Sequence, residues 1–387
     1  MPVNVSSRPV IGSAWSAVRA KGDTRRAVLL TRLAAPKAVQ PRSSRARLCP
    51  RASSSVDVVA PPGAGFPTRA VGAAGRETDA GGLERLPLRE EGWEYWQWSY
   101  AGKQHRVHYI QEGEQGSPVV LVHGFGAHAY HWRYTVPALA KKHRVYSICL
   151  LGYGWSDKAV VDYSGETWAK QVADFCREVV GTEEVTLVGN SIGCLACMAA
   201  AALMPGTKGL ALLNSAGNPD VEEERTIDAS TLDSFDDANP EKSLSEKIST
   251  AFGRLVAQGI FVGTKYRIKY FLDKVYLNTN FVDESLIKSI FIPACDPQAP
   301  AAFFELSKAG GRTKFTLRGL LKQIEAHGTP MVLLWGQQDP WMKPDKAEKF
   351  VALYPAAQIV PLQSGHCPQD DSPEDVNASL LHFMEKL

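Results

Sequence analysis

The 387-residue chain lacks any apolar run approaching about 18 residues, so no segment is long enough to form a membrane-spanning helix. The longest apolar run, Ile192 to Met204, falls well short. Cysteine is scarce and scattered (Cys49, Cys149, Cys176, Cys194, Cys197, Cys295, Cys367), with none of the spacing of a disulfide framework. Four ligands at zinc spacing are also missing, so no metal site and no cofactor are expected. Cys194-x-x-Cys197 has the spacing of a redox pair. It lies in a small-residue helical run, where i and i+3 share a face, and is read as packing. Acid is nearly absent from residues 1–56, where Asp23 stands against eleven Lys and Arg. The rest of the chain carries an excess of eight acids, so the basic character belongs to the N-terminus alone. That stretch is Arg- and Ser-rich and has no compact apolar core of a secretory signal, so it is read as a transit peptide. The alternative, a basic tail that binds nucleic acid, is set aside, and no nucleic-acid partner is expected. An Ala/Gly/Pro-rich segment runs from Ala60 to Gly82. Residues 57–85 are therefore read as a disordered linker, with folding from Leu86.

Alternating buried strands and helices follow. Tyr95–Tyr100 and Arg106–Ile110 alternate and flank a hairpin signal at Ala101-Gly102-Lys103. Pro118–Val122, Arg144–Leu150, Val185–Val188, Gly209–Leu213, Pro330–Trp335 and Gln358–Leu362 read as strands, the continuous apolar runs among them as buried on both faces. Helical patterns occupy Val136–Lys141, Trp168–Val180, Cys194–Met204, Lys346–Tyr354 and the C-terminal stretch. Asp345 with Glu348 has capping-box spacing, and Ser372-Pro373 marks the last helix start. The alternation stops from Gly217 to about Ile324, where helical stretches appear at Ala251–Ile260, Tyr266–Leu277 and Phe315–Ile324. The pattern implies a mostly parallel sheet covered by helices on both faces. A helical cap is inserted at 217–325 between two core parts, 86–216 and 326–387.

In such sheets function gathers at the carboxyl ends of the strands. The strand ending at Val188 runs into Gly189-Asn190-Ser191-Ile192-Gly193 and then a helix, the pattern of a nucleophile elbow. A serine hydroxyl is a poor nucleophile and needs a base, which in turn needs an acid to fix its tautomer. In this architecture the acid follows a late strand and the histidine follows the last one. Asp339 and His366 occupy those places. The position after the Gly209–Leu213 strand is Asn214-Ser215 and not acidic, while Asp370, Asp371 and Asp375 follow His366 so closely that they are read as surface or helix-start residues. Oxyanion donors are expected at the N–H groups of Ile192 and Phe125, the latter in the His123-Gly124-Phe125-Gly126 loop. His123 precedes the serine and is read as a structural loop residue.

Leu121–Gly126, His131-Trp132-Arg133, Leu150–Lys158, Val188–Gly193, Leu212–Ala216, Trp335–Trp341 and Gly365–Pro368 together resemble the α/β-hydrolase fold family. The likeness runs from about Trp93 to Leu387 and is greatest to plastid pheophytinase-like and chlorophyll-dephytylase-like serine hydrolases. It implies a chloroplast location and a phytyl ester of chlorophyll or pheophytin as substrate, with an acyl-lipid esterase or a carbon–carbon bond hydrolase as alternatives. A non-catalytic binding protein on the same fold is the alternative from another class. Haloalkane dehalogenases and epoxide hydrolases share the core but use aspartate where this chain has Ser191. The chain departs from the family at Cys194, where glycine is frequent, and at Cys149, where aspartate commonly ends the strand. Trp132, Trp155 and Trp341 lie beside loops at the active end and are candidates to line an apolar pocket or to pack those loops. Lys265-Tyr-Arg-Ile-Lys-Tyr-Phe271 mixes bases and aromatics, as a solvated amphipathic helix does or one resting on a thylakoid or envelope membrane. Oligomeric state is left open.

Overall fold

The computed structural model describes residues 75–161, 163–233, 259, 261, 263 and 267–387. The expected transit peptide and the Ala251–Ile260 helix lie outside the described residues, except for position 259. A two-residue hairpin pairs Glu77–Thr78 (β1) with Glu84–Arg85 (β2). Then come Glu94–Tyr100 (β3), Lys103–Glu112 (β4), Pro118–Val122 (β5), Arg144–Ile148 (β6), Thr186–Asn190 (β7), Gly209–Leu213 (β8), Met331–Gly336 (β9) and Gln358–Leu362 (β10). The last eight form one sheet in the order β10-β9-β8-β7-β5-β6-β4-β3. The six strands from β10 to β6 are parallel, and β4 and β3 extend the sheet antiparallel. The β3–β4 turn has φ of 50° at Ala101 and 67° at Gly102, the left-handed pair that a tight hairpin between twisted strands favours.

Period-2 alternation divides each parallel strand between two cores. Val120, Val122, Leu187, Leu210, Leu212 and Leu333 face a cluster with helices Gly165–Phe175 and Ile192–Leu203. Val119, Leu121, Val188, Ala211, Leu213 and Leu334 face the other cluster, with helices Thr135–Leu139 and Pro373–Met384. The mostly parallel sheet covered on both faces is thus as expected. Helix Leu317–Ala326, placed in the cap by the sequence, puts Leu320, Leu321 and Ile324 into the first of these clusters and packs on Ile192–Leu203. A third cluster of Ile268, Leu272, Val275, Tyr276, Val282 and Leu286 belongs to the inserted segment and reaches Cys367.

Three local expectations are corrected. Residues 75–85 are not a disordered linker. Asp79 accepts the N–H groups of Gly81 and Leu83, so the glycines that resembled low complexity close the β1–β2 turn. Arg76 then pairs with Glu84 at 2.7 Å and with buried Glu112 at 3.0 Å. Asp345 does not cap its helix, which starts after Pro344 with no side-chain cap; Asp345 sits in the first turn instead. Ser372 does precede the last helix, with Pro373 at its first turn, but its hydroxyl donates back to Pro368 O and does not cap.

Four histidines are buried behind the loops that follow β5 and β6. His108 faces Cys149 Sγ through Nδ1 at 3.1 Å and accepts Trp93 N–H at Nε2. His123 Nε2 accepts Leu150 N–H, which leaves Nδ1 to donate to Gly124 O at 2.7 Å. His128 and His131 meet edge to face at 4.6 Å. Burial pushes His108 down to about 3, His123 to about 4 and His131 to about 3. It drives His128 well below its ordinary value. Cys149, in the place where the family commonly has aspartate, still ties this region together: its sulfur also accepts Ala129 N–H.

Two outcomes are expected. Arg76→Ala strands the Glu112 carboxylate, and urea unfolding of the full chain loses about 1–3 kcal/mol. The four histidines bind protons only when unfolded, so their contribution to stability is complete above about pH 6.5 and is lost as pH falls towards their folded values. Asp370, which burial raises to about 6 even against the pull of Arg133, has the opposite sign and removes about one proton from the balance. Urea midpoints should therefore fall steeply from pH 6.5 to 4, by about 4 kcal/mol per pH unit near pH 5 for a net uptake of about three protons. His123→Gln should reduce that uptake by about one.

Candidate active site

The site is built at the carboxyl ends of β5, β7, β9 and β10. Ser191 follows β7 at once and holds φ 54°, ψ −118°, a conformation that side chains rarely adopt. The turn is this tight only because its neighbours lack side chains. A Cβ on Gly189 would lie 2.6 Å from Cys194 N, and one on Gly193 would lie 2.3 Å from Val122 O. A Cβ on Gly124 would lie 3.1 Å from Ser191 Cβ, so the loop after β5 rests directly on the elbow. Ser191 N–H donates to Leu213 O at 3.0 Å, which fixes the serine to the end of β8.

Asp339 follows β9. Its Oδ1 accepts the N–H groups of Trp341 and Met342 at 2.7 and 2.9 Å, while Oδ2 meets His366 Nδ1 at 2.7 Å. Held by the turn on one side, the carboxylate presents its free oxygen to the imidazole and favours the tautomer with the proton on Nδ1. Nε2 is then left as a proton acceptor. Ser191, Asp339 and His366 are each 5% exposed. Of the expected oxyanion donors, Ile192 is the first residue of its helix, and Phe125 lies in the loop that covers Ser191. Neither N–H donates to a protein group among the described residues. Unpaired N–H groups at a helix start and in an adjoining loop are what a developing oxyanion requires.

The histidine loop is fixed by all four backbone polar groups of Gly365 and His366. Asp371 accepts Gly365 N–H, Asn214 Nδ2 donates to Gly365 O at 2.7 Å, His366 N–H donates to Val275 O at 2.7 Å, and Asn190 Nδ2 donates to His366 O at 3.0 Å. Asn214 also accepts Gly336 N–H through Oδ1, so one amide joins β8, β9 and the histidine loop.

The tryptophans have different roles. Trp341 is 58% exposed, with its ring 4.7 Å from that of His366, and lies at the site. Trp132 does not line a pocket: it is fully buried in the second cluster. Trp155 donates its indole N–H to Glu90 O and packs on His108 and His128, so it too holds loops. Phe125 is 48% exposed and meets Phe303 of the inserted segment at 6.1 Å. Cys194 and Cys197 are free and buried, with thiols raised by burial, as packing residues are. Of the two readings of Asp370 and Asp371, surface or helix start, the first is overturned, since both are buried; both do lie in the first turn of the short helix Pro368–Asp371. Asp370 pairs with Arg133 at 2.8 Å, a partner 237 positions away that no local spacing reveals.

The alpha/beta hydrolase family model matches residues 119–379. The chain is 26% identical over 329 residues to the chloroplastic pheophytinase of Arabidopsis thaliana, which covers 73% of this chain and 64% of that protein, less than two thirds of its length. It is 22% identical over 296 residues to epoxide hydrolase 2 of Caenorhabditis elegans, covering 73% of this chain and 78% of that one. Among solved structures, a bacterial membrane phospholipase A superposes with a TM-score of 0.56 at 24% identity, over 77% of this chain and 87% of the other, which is a likeness of fold. With the family model spanning well over half of its length, the chain belongs to the alpha/beta hydrolase family.

Proposed function

We propose that the chain is a serine hydrolase of hydrophobic carboxylic esters, working through Ser191, His366 and Asp339. The observation that carries the proposal is the 2.7 Å contact from His366 Nδ1 to Asp339 Oδ2, in a loop that Asn190, the residue before a serine held at φ 54°, reaches by a 3.0 Å hydrogen bond to His366 O. His366 Nε2 takes the Ser191 proton as Oγ attacks the ester carbonyl. The carbonyl oxygen, now negative, accepts the N–H groups of Ile192 and Phe125, each such donor contributing about 3–4 kcal/mol to the barrier decrease. The tetrahedral intermediate collapses, and His366 gives its proton to the leaving alcohol. Water, deprotonated in turn by His366, attacks the acyl-serine; the second tetrahedral intermediate collapses with cleavage of the bond from the acyl carbon to Ser191 Oγ, His366 returns the proton to Oγ, and the acid is freed. Asp339 stays ionised and stabilises the imidazolium. No step calls for a cofactor.

The exposed aromatics Phe125 and Trp341 at the site, with Phe303 beside Phe125, support an apolar substrate. The pheophytinase relative supports a phytyl ester as the leading candidate and a plastid as its place, with an acyl lipid next. The aromatic Tyr270 and Phe271 are exposed on helix Ile268–Val275 beside Lys274, which supports peripheral contact with a membrane surface. A fluorophosphonate probe should label the wild-type chain and leave Ser191→Ala unlabelled. Asp339→Asn should lower ester turnover by about 10⁴-fold. A panel of phytyl, acyl-lipid and short-chain esters then ranks the substrates, with phytyl esters expected first. A folded wild-type chain that takes no label would sink the proposal.

A further inference from the structure

Asp371 is a buried carboxylate, 3% exposed, and its three recorded hydrogen bonds all come from backbone N–H groups. Oδ2 accepts Gly365 N–H and Leu277 N–H, the second at 2.9 Å, and Oδ1 accepts Asn278 N–H at 2.7 Å. One of those donors immediately precedes His366. The other two belong to the strap that leaves helix Ile268–Val275 of the inserted segment. The same strap supplies Val275 O as the acceptor for His366 N–H. The strap is held to the core independently of Asp371. Arg133 donates to Asp370, Asp283 and Phe281 O, and Tyr276 donates to Asp370 Oδ2 at 2.8 Å. Arg133 and Asp370 are fully buried.

We infer that Asp371 is a positioning residue, which sets His366 against Asp339 by tying the histidine loop to the strap of the inserted segment. It touches neither Ser191 nor His366's ring in any recorded contact and acts through the Gly365 peptide. The packing around that peptide leaves little slack. A Cβ on Gly365 would lie 2.1 Å from Val275 O, so the strap backbone lies directly on the loop. Released from Asp371, the Gly365 N–H has no replacement acceptor, and the loop turns to find water. A shift of about 1 Å in a base is enough to reduce turnover about 100-fold. The inference rests on His366 as the base of the proposed hydrolase, but the placement of its ring is measurable without turnover.

The test is Asp371→Asn in the full chain. The amide keeps the volume and turns one acceptor into a donor that confronts an N–H. Two readouts apply: the downfield proton NMR signal of the His366–Asp339 hydrogen bond, identified by its loss in His366→Gln, and hydrolysis of p-nitrophenyl butyrate. A cooperative melt is expected, with the downfield signal shifted or broadened, kcat lowered about 10- to 100-fold and KM within about twofold of wild type. Asp371→Glu, which restores the charge one methylene further out, should recover part of both. A signal and kcat identical to wild type would show Asp371 to be structural only and overturn the inference. Should Asp371→Asn fail to fold, Asp371→Glu is read by the same two criteria. A wild-type chain with the downfield signal but no hydrolysis defeats the hydrolase proposal alone, since the signal still decides where Asp371 holds His366.

Discussion

The arrangement at Gly365–His366 constrains the rest of the site. A buried peptide group must find partners for both its N–H and its C=O. Here four such groups in succession find theirs on four different parts of the molecule: Asp371, Asn214, Val275 and Asn190. One partner is the last residue of β7, one follows β8, one closes the short helix Pro368–Asp371, and one belongs to the inserted segment. The histidine is therefore located by the sheet and by the insertion together. The inserted segment meets that loop at two successive N–H groups, at Gly365 through Asp371 and at His366 through Val275 O.

The same logic, with space in place of hydrogen bonds, governs the serine. Strand β7 and the helix behind it approach so closely that side chains at Gly189 and Gly193 would collide with backbone. The strain at Ser191, of order 1–3 kcal/mol, persists because both flanking elements are anchored in the two clusters. Val188 faces one cluster and Leu187 the other, so the strand has no freedom to rotate and relieve it. Core packing and the strained turn are thus one structural fact seen from two ends.

How far the sequence disclosed this follows from the range of each interaction. The parallel strands were readable because burial on both faces writes a continuous apolar run. The elbow, Asp339 and His366 were readable because strand ends and chain order constrain them. Asp370 and Asp371 were not, since their partners Arg133, Tyr276, Leu277 and Asn278 lie about a hundred or more residues away and carry no periodic signal. Trp132 and Trp155 were ambiguous for a related reason: an aromatic next to an active-end loop looks the same in sequence whether it faces a cavity or the core. The β1–β2 hairpin was hidden by composition, as its turn glycines merged with the Ala/Gly/Pro segment before it.

The distribution of burial bears on the choice between an enzyme and a binding scaffold. A scaffold that only encloses an apolar ligand gains nothing from a serine at φ 54° or from a carboxylate shut away beside an imidazole. Each of these lowers stability unless other contacts compensate, and substitution by ordinary apolar packing would be neutral or better. Asp339 is instead supplied with two backbone donors so that it remains an acceptor for His366. Meanwhile the N–H groups of Ile192 and Phe125 have no protein acceptor among the described residues. Around the histidine loop, by contrast, both polar groups of the Gly365 and His366 backbone are paired within the protein. On the proposed hydrolase reading, those two donors beside a strained hydroxyl have a use, as the partners of an anion that forms only during reaction.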